Sequence, residues 1–506
     1  GRKAEEGNAL GLLKRADGTL SICACARLVA VASASLAEPP PSGATGATDI
    51  LVLKAATLYV GDGRRIEDGM IVIRDGLIVD VGAAMATPAG ARVIEIEDGS
   101  ITPGLIDANA AVESEDLVAP LPRGPRAVLH GLFHPGHSED ASPGCCGSSC
   151  PRAIRHVEGT KCPACGFPDA QPGGLAVGTR MSVSTAEASS EVIPEMRVID
   201  SVNLRSTDFD RLLRGGVTTV YTSPSSAAVI GAQGAIVRTG GAFGDRIVRE
   251  TYAVKAAMGV DPSRRGRGNS MPSRRSVTFH TRRPGTRMGV AWVFRKALYD
   301  TKRGLAGLEV YGADAPGEAS REVLARVLAG EVPLRIQARA QHDILAAIRL
   351  TEEFGLSFTL EEGTDAYRCI DELKATGTPV VFGPIYVTPV GWRGLSGEVR
   401  NARVHTLRAL IDAGIETALS AQELRDEDGL ARQAMYAIRF GVSLDDALAA
   451  VTVVPARLLG IDDVVGTLEV GKRADLVMWS GEPFDAVSAP RVVLIGGEVV
   501  VDTRDG

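Results

Sequence analysis

Four cysteines in the first third of the chain are spaced to hold a single ion. Cys146-x3-Cys150-x11-Cys162-x2-Cys165 places two thiols on each of two tight, glycine-rich turns. Two such pairs can present four thiolates to one tetrahedral Zn²⁺. Cys145 is an alternative to Cys146, and His134, His137 and His156 are spare ligands. A closed site of this kind leaves no position open to substrate, so the expected role is structural: it holds a turn-rich segment, 130–172, that has no core of its own. Disulfides are the competing pairing, favoured in an oxidising compartment. A second concentration of chemistry is DPSRRGRGNSMPSRRSVTFHTRRPGTR, 261–287, with eight arginines. It is either a solvated loop or a grip for an anionic ligand, and one of its arginines is a candidate counter-charge for a buried carboxylate.

The elements around these segments fall into two textures. From residue 50, ILVLKAATLYVG, GMIVIRDGLIVDVG and RVIEIEDGSITPG are short β-branched runs broken by Asp-Gly and Gly-Asp turns, the pattern of hairpins. GKRADLVMWSG and PRVVLIGGEVVVD near the C-terminus repeat it. A small sheet domain built from both ends of the chain is therefore expected, over 49–103 plus 464–506. Between them, runs such as VPLRIQARA (332–340), LSFTLEEG (356–363), TPVVFGPIYV (378–387) and IETALSAQE (415–423) alternate with helical stretches such as QHDILAAIRLTEEFG and AYRCIDELKATG. Strand–helix repetition over 104–463 argues for a parallel sheet and, at that length, an elaborated (β/α)8 TIM-like barrel with its chemistry at the C-terminal strand ends. The Cys-rich segment reads as an insertion after the first barrel strand.

Bulk composition limits the alternatives. The 506 residues carry a net charge of −7, too mild to imply nucleic-acid binding. Hydrophobic residues make up 45% and charged residues 23%, as in an ordinary globular protein. No charge-free apolar run reaches the ~20 residues of a membrane span. Residues 1–48 differ from the rest: basic residues precede a short apolar stretch, LSICACARLVAVASASLAEPPPSG, and small residues follow it. This leader reads as an export signal, placing the protein in the periplasm or outside; otherwise the protein is cytoplasmic.

The phrases IRDGLIVDVG (73–82), ITPGLIDA (101–108) and TVVPARLLGIDDVVGTLEVGKRADLVMWSGEPF (452–484) resemble the metal-dependent amidohydrolase superfamily, in particular its imidazolonepropionase-like and cytosine-deaminase-like branch. The resemblance covers roughly 49–506 apart from the cysteine-rich segment. It implies a barrel with a composite β-sandwich. It also implies one or two divalent metals that lower the pKa of a bound water for attack on an amide, ester or ring carbon. The ligand positions it implies are occupied otherwise: Asn109 and Ala111 after strand one, Gln337 after strand five, Glu362 after strand six and Gln422 after strand eight. Amides and an alanine make a poor site for Zn²⁺ or Fe²⁺.

These replacements lead to the expectation that the chain has lost metal-dependent hydrolysis, holds no catalytic metal, and serves as a non-catalytic subunit or scaffold, as a homo-oligomer or as a partner of an active amidohydrolase. The side chains of Asn109, Gln337 and Gln422 are expected to satisfy one another by hydrogen bonding. One alternative is a hydrolase acting on the carbon–nitrogen bond of a small cyclic amide or peptide-like substrate through an unusual site. Another is a small-molecule binding protein that keeps the pocket. Without a metal, Glu361, Glu362 or Asp107 remain as acid–base groups, with Asp107 better suited to shaping the strand-one exit.

Overall fold

The computed structural model describes residues 50–112, 190–263, 284–310, 315–386 and 401–504, together with Thr185, Glu187, Gly312 and Glu398. The leader, the segment holding Cys146, Cys150, Cys162 and Cys165, and most of the arginine-rich stretch lie outside the described residues. The strands run, in chain order, β1 (Leu51–Tyr59), β2 (Arg65–Arg74), β3 (Leu77–Ala83), β4 (Arg92–Pro103), β5 (Leu105–Ala110), β6 (Val217–Thr222), β7 (Ile230–Gln233), β8 (Ala235–Arg238), β9 (Ile247–Arg249), β10 (Val254–Ala257), β11 (Leu334–Ala338), β12 (Thr359–Glu362), β13 (Val380–Phe382), β14 (Thr417–Leu419), β15 (Leu476–Trp479), β16 (Pro490–Ile495) and β17 (Glu498–Asp502).

The two ends of the chain share one sheet, in the order β17-β16-β15-β4-β1-β2-β3. The seam is the antiparallel pairing of β15 with β4, Leu476 opposite Pro103, and the Trp479 indole N–H donates to Thr102 Oγ1 across it at 2.9 Å. Asp75 and Gly76, both at positive φ, make the two-residue turn between β2 and β3, the geometry an Asp-Gly hairpin requires. Side-chain alternation sends Leu53, Ile71, Ile94, Leu476 and Met478 into one cluster and Val52, Met70 and Val72 into another on the opposite face.

The remaining strands form a six-stranded sheet, β14-β13-β12-β11-β10-β7, and a four-stranded sheet, β5-β6-β8-β9. β10 to β14 are parallel neighbours, and so are β5 and β6. Helices fill the crossovers. After β11 comes α1 (Gln341–Phe354), which ends on Gly355 in the left-handed conformation, and after β12 comes α2 (Ile370–Thr376), which ends in the same way on Gly377; glycine adopts this cap without a Cβ clash. The outward residues Leu334, Ile336, Leu360 and Val380 pack with Ile344, Ala347 and Leu373 of these helices.

Both sheets contribute to one inner cluster, Ile106 and Tyr221 from the smaller and Val381 and Ala418 from the larger. Among the described residues, the expected eight-stranded closure is not a continuous ladder. The chain between β6 and β10 folds back on itself, so β7 meets β10 antiparallel and β8 meets β6 antiparallel, and this interrupts the run of parallel neighbours. Among the described residues no helix is long and apolar enough to cross a membrane.

Candidate functional site

Parallel strands present their C-terminal ends on one side, and the positions singled out in the sequence lie there. Asn109 is in β5, with Ala111 just beyond it. Gln337 is in β11, Glu362 closes β12, and Gln422 follows β14. Glu362 and Gln422 both have positive φ, 67° and 55°, a conformation that costs a residue with a Cβ and recurs at functional sites.

The contacts at these positions run to separate partners or, for Gln337, to none. Gln422 Nε2 donates to the Gly383 carbonyl at 3.1 Å. The Ala111 carbonyl accepts from Arg425 Nη2 at 2.8 Å. Glu362 is gripped on both oxygens by Arg339, whose Nη2 donates to Oε1 at 3.0 Å and whose Nε donates to Oε2. The expected mutual bonding of Asn109, Gln337 and Gln422 does not form, because both amide atoms of Gln337 are buried without a partner. Among the described residues, a counter-charge for Glu362 is supplied by Arg339, two residues beyond Gln337. The last arginine of the arginine-rich stretch, Arg287, pairs with Asp343 at 2.8 Å and Glu398 at 2.9 Å.

Asp107 joins the smaller sheet to the larger. Its Oδ1 accepts from Ser420 Oγ at 2.6 Å and from the Asn109 N–H at 3.0 Å, and its Oδ2 accepts from the Ala421 N–H at 3.0 Å. Burial pushes its pKa above the usual carboxylate range; the Ser420 and backbone hydrogen bonds offset only part of this. The adjoining turn has no room for a side chain at Gly383, where a Cβ would stand 2.1 Å from the Ser420 carbonyl.

Two carboxylate–guanidinium tiers lie on neighbouring strands. In the inner one, Arg335 Nε donates to Glu361 Oε1 at 2.6 Å, and Lys255 Nζ donates to Glu361 Oε2 and to Ser223 Oγ, the latter at 2.8 Å. Burial works to raise the pKa of Glu361, but Lys255 and Arg335 outweigh it and hold the carboxyl below its ordinary range. In the outer tier, Arg339 binds Glu362, Asp261 and Glu398. Burial opposes its charge, and the attraction of Asp261 and Glu362 more than compensates. Lys255, Arg335 and Arg339 were not singled out by the sequence reading. Their signal was present: Arg335, Gln337 and Arg339 recur at period two in LRIQARA, which puts long polar side chains on one face of a strand otherwise bounded by apolar residues.

A divalent metal does not fit this set. The carboxylates are paired with lysine and arginine, the other four side chains offer amides or a methyl, and among the described residues no group of three or more His, Cys, Asp or Glu could hold an ion. Beside the outer tier opens a cleft of about 570 Å³ lined by Arg287, Gln341, His342, Asp365, Arg368 and Glu398. His342 belongs to the first turn of α1 and is exposed, 3.5 Å from Asp343. Cys369 is buried, and burial pushes its thiol up to about 12. The expected result is that this thiol resists alkylation at neutral pH in the folded protein and reacts on unfolding, read by peptide mass mapping.

Residues 413–501 match the model of the amidohydrolase family. The chain is 25% identical to amidohydrolase tasK of Hapsidospora irregularis over 63% of its own length and 34% of that protein, so it spans about a third of that relative. It is 24% identical to the imidazolonepropionase of Mesorhizobium japonicum over 87% of its length and 94% of that enzyme. Among solved structures it is similar to an amidohydrolase from Thermotoga maritima, with 27% identity, 89% of this chain and 100% of that chain covered, and a TM-score of 0.65. These relatives correct the expectation of a non-catalytic subunit or scaffold, since they are named as amidohydrolase and imidazolonepropionase. Physically, amides at the expected ligand positions do not by themselves exclude hydrolysis, because carboxylates and fixed cations can handle protons and polarise a carbonyl.

Proposed function

We propose, from the premise that the chain belongs to the amidohydrolase superfamily, that it hydrolyses a carbon–nitrogen bond in a small cyclic amide or peptide-like substrate. The observation that carries this reading is the likeness to the Thermotoga maritima amidohydrolase over that enzyme's entire length. The positions Asn109, Ala111, Gln337, Glu362 and Gln422 are read as replacements of the superfamily's metal ligands, and no step is assigned to a metal.

Substrate enters the cleft beside the outer tier, and Glu362 is the proton-handling group. Its carboxylate is buried at a strand end, and Arg339 fixes its orientation through both oxygens. Glu362 takes a proton from water as the water oxygen bonds to the carbonyl carbon. The carbon–nitrogen bond then breaks, and nitrogen leaves with the proton. The products are a carboxylic acid and an amine, which ionise to a carboxylate and an ammonium.

The test is incubation of the purified chain with a panel of cyclic amides, cyclic ureides and dipeptides, read by mass spectrometry as the gain of one water. At least one compound is expected to turn over, and Glu362→Gln is expected to slow it about 10²–10⁴-fold with the thermal midpoint retained. Absence of turnover across the panel sinks the hydrolase reading; full activity in Glu362→Gln sinks the role of Glu362.

A further inference from the structure

The inner tier has more charge and more hydrogen-bond donors than its own acceptors can satisfy. Lys255 is 3% exposed, Arg335 1% and Glu361 0%. Among the described residues, Glu361 is the carboxylate these two cations touch, so the trio has a net charge of +1. Arg335 is otherwise spent on the Ala108 carbonyl, at 2.5 Å, and on the face of Tyr221, 4.2 Å from the ring centroid. Its Nη1 is buried without a partner, as are both amide atoms of Gln337. Gln337 is two residues on from Arg335 in β11 and therefore on the same face, nearer the C-terminal end from which substrate arrives. Buried donors without acceptors are rare and costly, and an uncompensated buried cation is costlier still. An anion offering several lone pairs would satisfy both.

We propose that Arg335, Gln337 and Lys255 form an anion site for a carboxylate, the group that hydrolysis of an amide generates. A carboxylate has about four acceptor positions over two oxygens, enough for Arg335 Nη1 and Gln337 Nε2 together. Its charge also cancels the surplus left by two cations on one glutamate. The same donors oppose the negative charge that grows on the carbonyl oxygen as water adds. The product assignment rests on the hydrolase reading; the binding of a carboxylate does not.

The probe is acetate, compared with chloride at equal ionic strength, and the readout is the thermal midpoint of the full chain. Saturating acetate is expected to raise the wild-type midpoint by about 2–4 °C, since a ligand bound only to the folded state stabilises it. Gln337→Leu removes the amide and abolishes the shift. Gln337→Glu supplies the anion covalently, so its midpoint without acetate exceeds that of the wild type and acetate adds nothing. If Gln337→Leu does not fold, the glutamate variant carries the test alone. No acetate response in the wild type, or an undiminished response in either variant, overturns the proposal. An acetate response in a chain that turns over no substrate leaves the site standing and removes only its assignment to a product.

Discussion

Glu361→Leu is expected to cost about 3–5 kcal/mol of folding stability, the usual consequence of removing one partner from a buried ion pair. The cost comes from what remains: Lys255 and Arg335 would be held in the interior with no counter-ion. Glu361→Gln keeps the shape and one acceptor oxygen, and should cost less. Urea denaturation at neutral pH measures both. A cost below about 1 kcal/mol for the leucine variant would be that of an ordinary exposed pair and would mean that the inner tier is hydrated. The pH dependence has a definite sign. The carboxyl of Glu361 is held below its ordinary value of 4.5, so the unfolded chain binds the proton more readily than the folded one. Its contribution is fully present above the unfolded pKa and is lost as pH falls through the folded pKa. Glu361→Gln should therefore flatten the acid limb of the stability profile below about pH 4.5.

Much of this architecture was legible in the sequence, for physical reasons that can be named. The Asp-Gly turn at Asp75 and Gly76 selects a tight hairpin whatever surrounds it. The apolar periodicity of QHDILAAIRLTEEFG gives α1 with its left-handed glycine cap. The positions of Asn109, Gln337, Glu362 and Gln422, implied by the family resemblance of the phrases around them, lie in or just after parallel strands. What those side chains touch was not legible. Glu361 meets Lys255 across 106 positions of sequence, and Asp107 meets Ser420 across 313. No local pattern states such a pairing. Two errors followed from this. Treating Asn109, Gln337 and Gln422 as one self-satisfied cluster missed the orphaned amide of Gln337. Reading the residues at the expected ligand positions as lost activity passed over the cations that Lys255, Arg335 and Arg339 place among the carboxylates.

Asp107→Ala is expected to be the other severe substitution, destabilising the chain by about 3 kcal/mol or more, since each buried donor left without an acceptor costs about 1–3 kcal/mol. Two backbone donors are affected, the N–H groups of Asn109 and Ala421, along with the hydroxyl of Ser420. Ser420 can rotate towards the Asn109 carbonyl, which it already reaches at 3.2 Å; the two amides are fixed by the backbone. Asp107→Asn is milder, yet its NH2 must face a backbone N–H on one side. The carboxyl differs from Glu361 in the sign of its linkage. Burial raises its pKa above the ordinary 3.8, so the folded state holds the proton more tightly and stability from this group falls as pH rises from 3.8 through the folded value. The asparagine variant cannot titrate and should lack that decline. Stability measured by urea denaturation across this interval separates the two cases: parallel wild-type and Asp107→Asn profiles would mean that water reaches the carboxyl. Because Asp107 ties the exit of β5 to the turn after β14, its loss should also weaken any turnover by displacing Gln422 and the mouth, even though Asp107 itself is fully buried.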